Sequence, residues 1–157
     1  MAPKKKQANM APTIQNRKAS HDYHFDEKFV AGIQLLGTEI KSVRLGNVQM
    51  QDAFCAFEQG ELYLRNLQIQ PYEQSAQFFN HEPLRPRKLL LTRRELKKLA
   101  KESQIAGVTI IPIRLFFSDR GLVKIEIALA RGKKAYDKRE SLKERDAKRE
   151  LQRGLRE

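Results

Sequence analysis

The 157-residue chain contains no tryptophan and a single cysteine. One cysteine excludes an intramolecular disulfide and suits a reducing compartment. Cys55 lies in Ala53-Phe54-Cys55-Ala56-Phe57 and reads as a small buried hydrophobe rather than a nucleophile. No apolar run approaches the ~18 residues of a membrane span. Residues 1–20 have no apolar centre of the kind a secretory signal needs. They hold one arginine, Arg17, and their prolines interrupt any amphipathic helix, which argues against a transit peptide. A cytoplasmic chain is expected, with no membrane association.

Catalytic motifs are also missing. There is no phosphate-cradling glycine loop, no GxGxxG after a strand, no GxSxG elbow and no HExxH helix. His21 and His24 are three apart in a segment that reads as extended, so they should face opposite ways and not share a metal. His81 falls in a long loop with no cysteine near it. The expectation is a binding protein without catalysis, cofactor or metal.

What the chain does have is positive charge: 31 Lys and Arg against 19 Asp and Glu, a net +12. The excess lies at the ends. Residues 1–20 carry five basic groups and no acidic one, and residues 131–157 carry eleven against six. The middle is close to balanced, like an ordinary globular surface. A basic chain of this kind suits a polyanion, nucleic acid first among them. Residues 1–15 read as a flexible basic segment, 16–130 as one domain, and 131–157 as a basic tail.

Within the domain, Tyr23 and Phe25 alternate with polar neighbours and residues 29–35 form a second extended piece, with a bulge or turn at residues 26–28. Gly32 suits a close backbone approach. Residues 37–46 read as a short helix: Thr38 as cap, Glu39 at the positive end, Gly46 as the left-handed stop. Ile40 and Val43 should face inward, leaving Lys41, Ser42 and Arg44 on an exposed basic face. Residues 48–58 and 61–69 read as strands joined through Gln59-Gly60.

Residues 70–86 form an irregular stretch, long enough to suggest function. It carries Phe78, Phe79 and His81 and leads into Arg85-Pro86-Arg87-Lys88. The two rings suit either stacking on unpaired bases or plugging the core, and the basic run suits phosphates. Thr92 and Glu95 make a capping box for a helix with Leu96, Leu99 and Ala100 inward and Gly107 as its stop. Strands over residues 108–118 and 122–130 follow, with Pro112 marking an edge or bulge; Val123, Ile125, Ile127 and Leu129 alternate with Lys124, Glu126, Ala128 and Ala130, the pattern of a sheet buried on one side. The resulting fold class is mainly β: a small antiparallel OB-like closed barrel of about six strands with two or three short helices.

The tail is polar, with only Leu142, Leu151 and Leu155 as leucines. Glu144–Lys148, Glu140–Lys143 and Asp146–Arg149 favour a helix, while Arg139–Lys143, Arg145–Arg149 and Glu140–Glu144 oppose it. It reads as disordered alone and helical when a partner neutralises it.

Several stretches taken in order resemble the SmpB, or SsrA-binding protein, family. They are Asn16-Arg17-Lys18-Ala19, His21-Asp22-Tyr23, Phe29-Val30-Ala31-Gly32-Ile33, Gly37-Thr38-Glu39-Ile40-Lys41-Ser42-Val43-Arg44, Arg85-Pro86-Arg87-Lys88-Leu89-Leu90-Leu91 and Gly132-Lys133-Lys134-Ala135-Tyr136-Asp137-Lys138-Arg139. The resemblance implies a monomeric barrel that binds the tRNA-like domain of tmRNA (SsrA RNA) and delivers it to stalled ribosomes. There the protein would replace codon–anticodon pairing while its tail probes the empty mRNA channel. The implied RNA face comprises Asn16, Arg17, Lys18, His21, Tyr23, Lys41, Ser42, Arg44, Arg85, Arg87, Lys88, Leu90 and Thr92. The implied ribosomal segment, facing 16S rRNA at the decoding centre and channel and also 23S rRNA, comprises Gly132, Lys133, Lys134, Tyr136, Asp137, Lys138, Arg139, Lys143, Arg145, Lys148, Arg149 and Arg153. Val30 stands where the family pattern has Glu. A structural ribosomal protein is the alternative that composition alone leaves open.

Overall fold

A computed structural model of the chain describes residues 12–133 and 135–154, the side chains of 135–138, 140 and 141 excepted. Among these residues lie strands β1 (Ile14–Gln15), β2 (Tyr23–Ile33), β3 (Val48–Gln49), β4 (Phe54–Glu58), β5 (Glu61–Arg65), β6 (Gln68–Ile69), β7 (Arg87–Leu90), β8 (Val108–Phe117) and β9 (Val123–Gly132). The helices are α1 (Arg17–Asp22), α2 (Gly37–Arg44), α3 (Arg93–Ser103) and α4 (Ala135–Gly154).

The main sheet is antiparallel and runs β1-β8-β4-β5-β7-β2-β9, and β9 pairs with β8 as well. That extra pairing joins β8, β4, β5, β7, β2 and β9 into a ring of six strands. β1 and β4 share one edge of β8, at Leu115 and Ile110 respectively, while β9 takes the other edge over nearly its whole length. β3 and β6 form a separate small pair.

Local sequence explains the turns. Gln59 and Gly60 both have positive φ, 50° and 79°, as a two-residue hairpin between twisted strands requires. The two extended pieces expected around residues 23–35 are one strand, with a bulge between Phe25 and Glu27 where residues 26–28 were expected to turn. Pro112 has no N–H to give a ladder, and β8 bulges between Pro112 and Arg114. The strand expected over 48–58 is broken into β3 and β4, and the one over 61–69 into β5 and β6 at Asn66, which has φ of 59°.

Inside the ring, Phe29, Ala31, Ile33, Leu62, Leu64, Leu89, Ile110, Leu115, Ile125, Ile127 and Leu129 form the core, with Leu99 entering from α3 and Val43 from α2. β9 was expected to be buried on one face only. Its other face is also covered towards the end, where Ala130 packs with Ala19 of α1 and Ile111. The sheet runs on past residue 130, where the domain was expected to end: Tyr23 pairs with Gly132, and Lys133 N–H donates to the Asp22 carbonyl at 2.8 Å. At the other end, β1 already belongs to the sheet at Ile14, inside the segment expected to be flexible; residues 1–11 lie outside the described residues.

Candidate nucleic-acid interface

The α1 turn is built on Asn16. Its Oδ1 accepts the Ala19 N–H at 3.1 Å, and its Nδ2 donates to the carbonyls of Pro112 (2.9 Å) and Met50 (3.3 Å). Buried to 3% exposure, Asn16 ties the helix to β8 and is not available to RNA, contrary to expectation. The extended reading of His21 is also corrected: it lies in the last turn of α1, and its Nδ1 is 3.0 Å from the Asp22 carboxylate. Arg17 and Lys18 are exposed, with Lys18 donating to Asp52 at 3.3 Å. Tyr23 is half-buried against the Ala19 cluster.

α2 is held by an ion cluster that sequence reading did not foresee. Glu39 is wholly buried, and its carboxylate accepts from Leu36 N–H (2.8 Å), Arg85 Nη2 (2.6 Å) and Arg87 Nε (2.5 Å). Burial pushes this carboxyl up, but the hydrogen bonds from Arg85 and Leu36 and the Arg87 charge outweigh it and hold it below its ordinary value. Arg87 is also wholly buried, and its guanidinium donates to the Leu67 and Pro83 carbonyls as well. Burial lowers its pKa, against the raising influence of Glu39. Arg87 is therefore a structural cation and not a phosphate ligand. Ser42, expected on the basic face, is buried against the core side of α2. Thr38 is not the cap, because Leu36 precedes the first turn; the Thr38 hydroxyl lies 2.9 Å from His81 Nδ1.

Two guanidinium groups share one carboxylate, so the cluster keeps one positive charge. It is presented at Arg85, which is one-third exposed. Arg85 lines a groove of about 600 Å³ together with Arg44, Lys124, Gln34, Leu36 and Leu90. Leu90 and Leu122 are each about half exposed there, at 47% and 57%. Gly32 permits the arrangement: a Cβ on it would sit 3.3 Å from the Leu90 Cβ. Apolar floor and cationic rim are the make-up of a surface that takes a sugar or base with its phosphate. Lys124 was missed in the sequence, where it looked like the solvent half of a strand alternation.

The expected RNA residues thus fall into two patches and a remainder. Arg44, Arg85 and Leu90 join Lys124 at the groove, with Lys41 exposed on the same helix as Arg44. Arg17, Lys18 and His21 sit on α1. β9 runs from Lys124 at the first patch to Ala130 under the second, about 20 Å at a strand's rise. Lys88 is half-buried on β7 and lies 3.3 Å from Glu61. Thr92 is exposed and caps α3. Of the expected ribosomal segment, Gly132 ends β9 and Lys133 follows it, its Nζ donating to the Ser20 carbonyl at 3.2 Å. Arg139, Lys143, Arg145, Lys148, Arg149 and Arg153 are exposed on α4. Lys134 and the side chains of Tyr136, Asp137 and Lys138 lie outside the described residues.

A six-strand ring with a cation-rimmed apolar groove and a long basic helix defines a small nucleic-acid-binding class of protein. The SmpB protein family model matches residues 13–157, and the chain belongs to that family. It is 50% identical over 149 residues to the SsrA-binding protein of Symbiobacterium thermophilum, covering 95% of this chain and 94% of that one. It is 53% identical over 142 residues to that of Carboxydothermus hydrogenoformans, covering 90% and 94%. A solved chain described as "tmRNA-SmpB: a journey to the center of the bacterial ribosome" superposes with a TM-score of 0.68 at 46% identity, covering 84% of this chain and 95% of that one.

Proposed function

We propose that this protein binds the tRNA-like domain of tmRNA and carries it to stalled ribosomes in trans-translation. The groove carries the reading: on a chain of this family, Arg44, Arg85 and Lys124 surround exposed leucines on an otherwise charge-balanced body. Such a surface reads a folded RNA through phosphates and riboses rather than through base sequence. α1, with Arg17, Lys18 and His21, supplies a second contact on the same RNA. The protein works as a binder and not as a catalyst; its one thiol, Cys55, is buried and pushed far up by that burial.

The ring is an OB-like barrel in this reading, and it works in the cytoplasm. The division of labour follows the chain. Residues through Lys133 form the RNA-binding body, and the following segment is the ribosomal probe, disordered when free and helical in the mRNA channel. The 20 residues of α4 span about 30 Å, with exposed cations along it to meet rRNA, and stand in for codon–anticodon pairing. Sequencing the RNA that co-purifies with the protein tests the whole. One small stable RNA with a tRNA-like end is expected; rRNA in equal amounts with every ribosome would instead make the protein a ribosomal component.

A further inference from the structure

The loop between β6 and β7 holds two phenylalanines that none of the foregoing uses. Phe78 is 97% exposed and Phe79 is 79% exposed, on a single 3-10 turn (Gln77–Phe79). Plugging the core, one of the two roles expected of them, is thereby excluded. Their loop is also not free to fold them away. Asn80 closes it on itself, its Oδ1 accepting Tyr72 N–H at 3.1 Å and its Nδ2 donating to the Tyr72 carbonyl at 2.8 Å. His81, buried, then latches the closed loop to the body. A carbonyl only accepts, so Nε2 donates to the Ile69 carbonyl at 2.9 Å, while Nδ1 meets the Thr38 hydroxyl of α2. Tyr72, at the loop's base, carries the Lys41 ammonium 5.2 Å from its ring centre.

Two adjacent rings held out into water on a closed, latched loop have lost their folding use and kept their hydrophobic cost. We propose that Phe78 and Phe79 are a stacking platform for unpaired RNA bases, resting on the RNA-binding reading above. The surroundings select this partner. The residues flanking the rings in sequence are Gln74, Ser75, Ala76, Gln77 and Asn80, mostly side chains that suit base edges and riboses. A pocket on a protein partner would call for a wider apolar rim around its anchors. A base needs only the ring face and tolerates polar neighbours. Lys41 at the loop's base adds a cation for the adjoining phosphate. The bases come either from tmRNA or from ribosomal RNA.

The test compares F78L/F79L, which keeps apolar bulk but no ring, with F78W/F79W, which keeps stacking faces. Each full-length variant is titrated against a transcript of the tRNA-like domain of tmRNA and, separately, against ribosomes loaded with tmRNA. At about 1–3 kcal/mol per stacked base, the Leu variant should lose roughly ten-fold or more in one arm while the Trp variant matches or exceeds the wild type. Loss in the transcript arm assigns the bases to tmRNA; loss confined to the ribosome arm assigns them to rRNA. If Leu binds as well as Phe in both arms, or Trp fails alongside Leu, the platform does not exist and a shape-selective protein pocket is the better account. Wild-type binding to the transcript is read in the same experiment, so failure of the RNA-binding reading is told apart from failure of the platform.

Discussion

Glu39 is the residue on which the interface turns. It fastens α2 to β7, and through Arg85 it aims a cation at the groove. E39Q removes the carboxylate that pairs with the buried Arg87 guanidinium, and breaking such a pair costs about 3–5 kcal/mol. Urea denaturation should show that loss. The pH dependence follows from the lowered pKa. The unfolded carboxyl titrates near ~4.3 and the folded one lower, so the contribution is complete above the unfolded value. It disappears as pH falls through the folded value. Wild-type stability should therefore fall on its acid limb below about pH 4, and E39Q should lack that component; parallel acid limbs in the two proteins would remove Glu39 from the role. This pair also shows where sequence reading stopped. Gln59-Gly60, Gly46 and the Thr92/Glu95 box are local codes, legible because the residues that need each other are neighbours. Arg87 meets Glu39 48 positions away, and Asn16 meets Pro112 96 positions away. Burial of a polar side chain depends on a partner that periodicity does not reveal, so Asn16, Ser42 and Arg87 were all assigned to the wrong side of the surface.

Among the elements, α3 was the most legible. Thr92 Oγ1 accepts the Glu95 N–H at 3.3 Å and Glu95 Oε1 accepts the Thr92 N–H at 3.2 Å, the reciprocal box expected from the sequence. The helix ends at Ser103, however, and the positive φ of Gly107 serves the turn into β8 rather than the helix stop. T92A should cost about 0.5–2 kcal/mol of stability, and L99A, emptying a fully buried site, about 2–5 kcal/mol; thermal or urea melts separate the two. β9 is the element whose end matters most. Truncation after Lys133 should preserve binding to the tRNA-like domain while abolishing tagging of stalled chains. Truncation after Ala130 removes the Tyr23–Gly132 pairing and the Lys133 bond to Asp22, so it should also lower stability. Equal melting points for the two truncations would contradict this boundary.

For the molecule as a whole, binding is a matter of distributed charge. The logarithm of RNA affinity should fall linearly with the logarithm of salt concentration, by about 0.7–0.9 per phosphate neutralised. R44A/K124A, lacking two rim cations, should flatten that slope by roughly 1–2. An unchanged slope in filter binding would place the RNA elsewhere. A small mainly-β body of about six strands closed on itself, with basic ends, was expected from the sequence, whereas the order of the strands around the ring was not readable, because nothing in a strand's own residues names its partner.

That closure has a consequence for how the protein comes into being. β2 finds its long neighbour in β9, with Tyr23 opposite Gly132. The intervening residues take about 5–20 s to be translated, and during that time the first long strand lacks most of its pairing. The six-strand ring cannot close until β9, which bridges β2 and β8, has been made. Any RNA surface that depends on the closed ring therefore waits on the synthesis of β9.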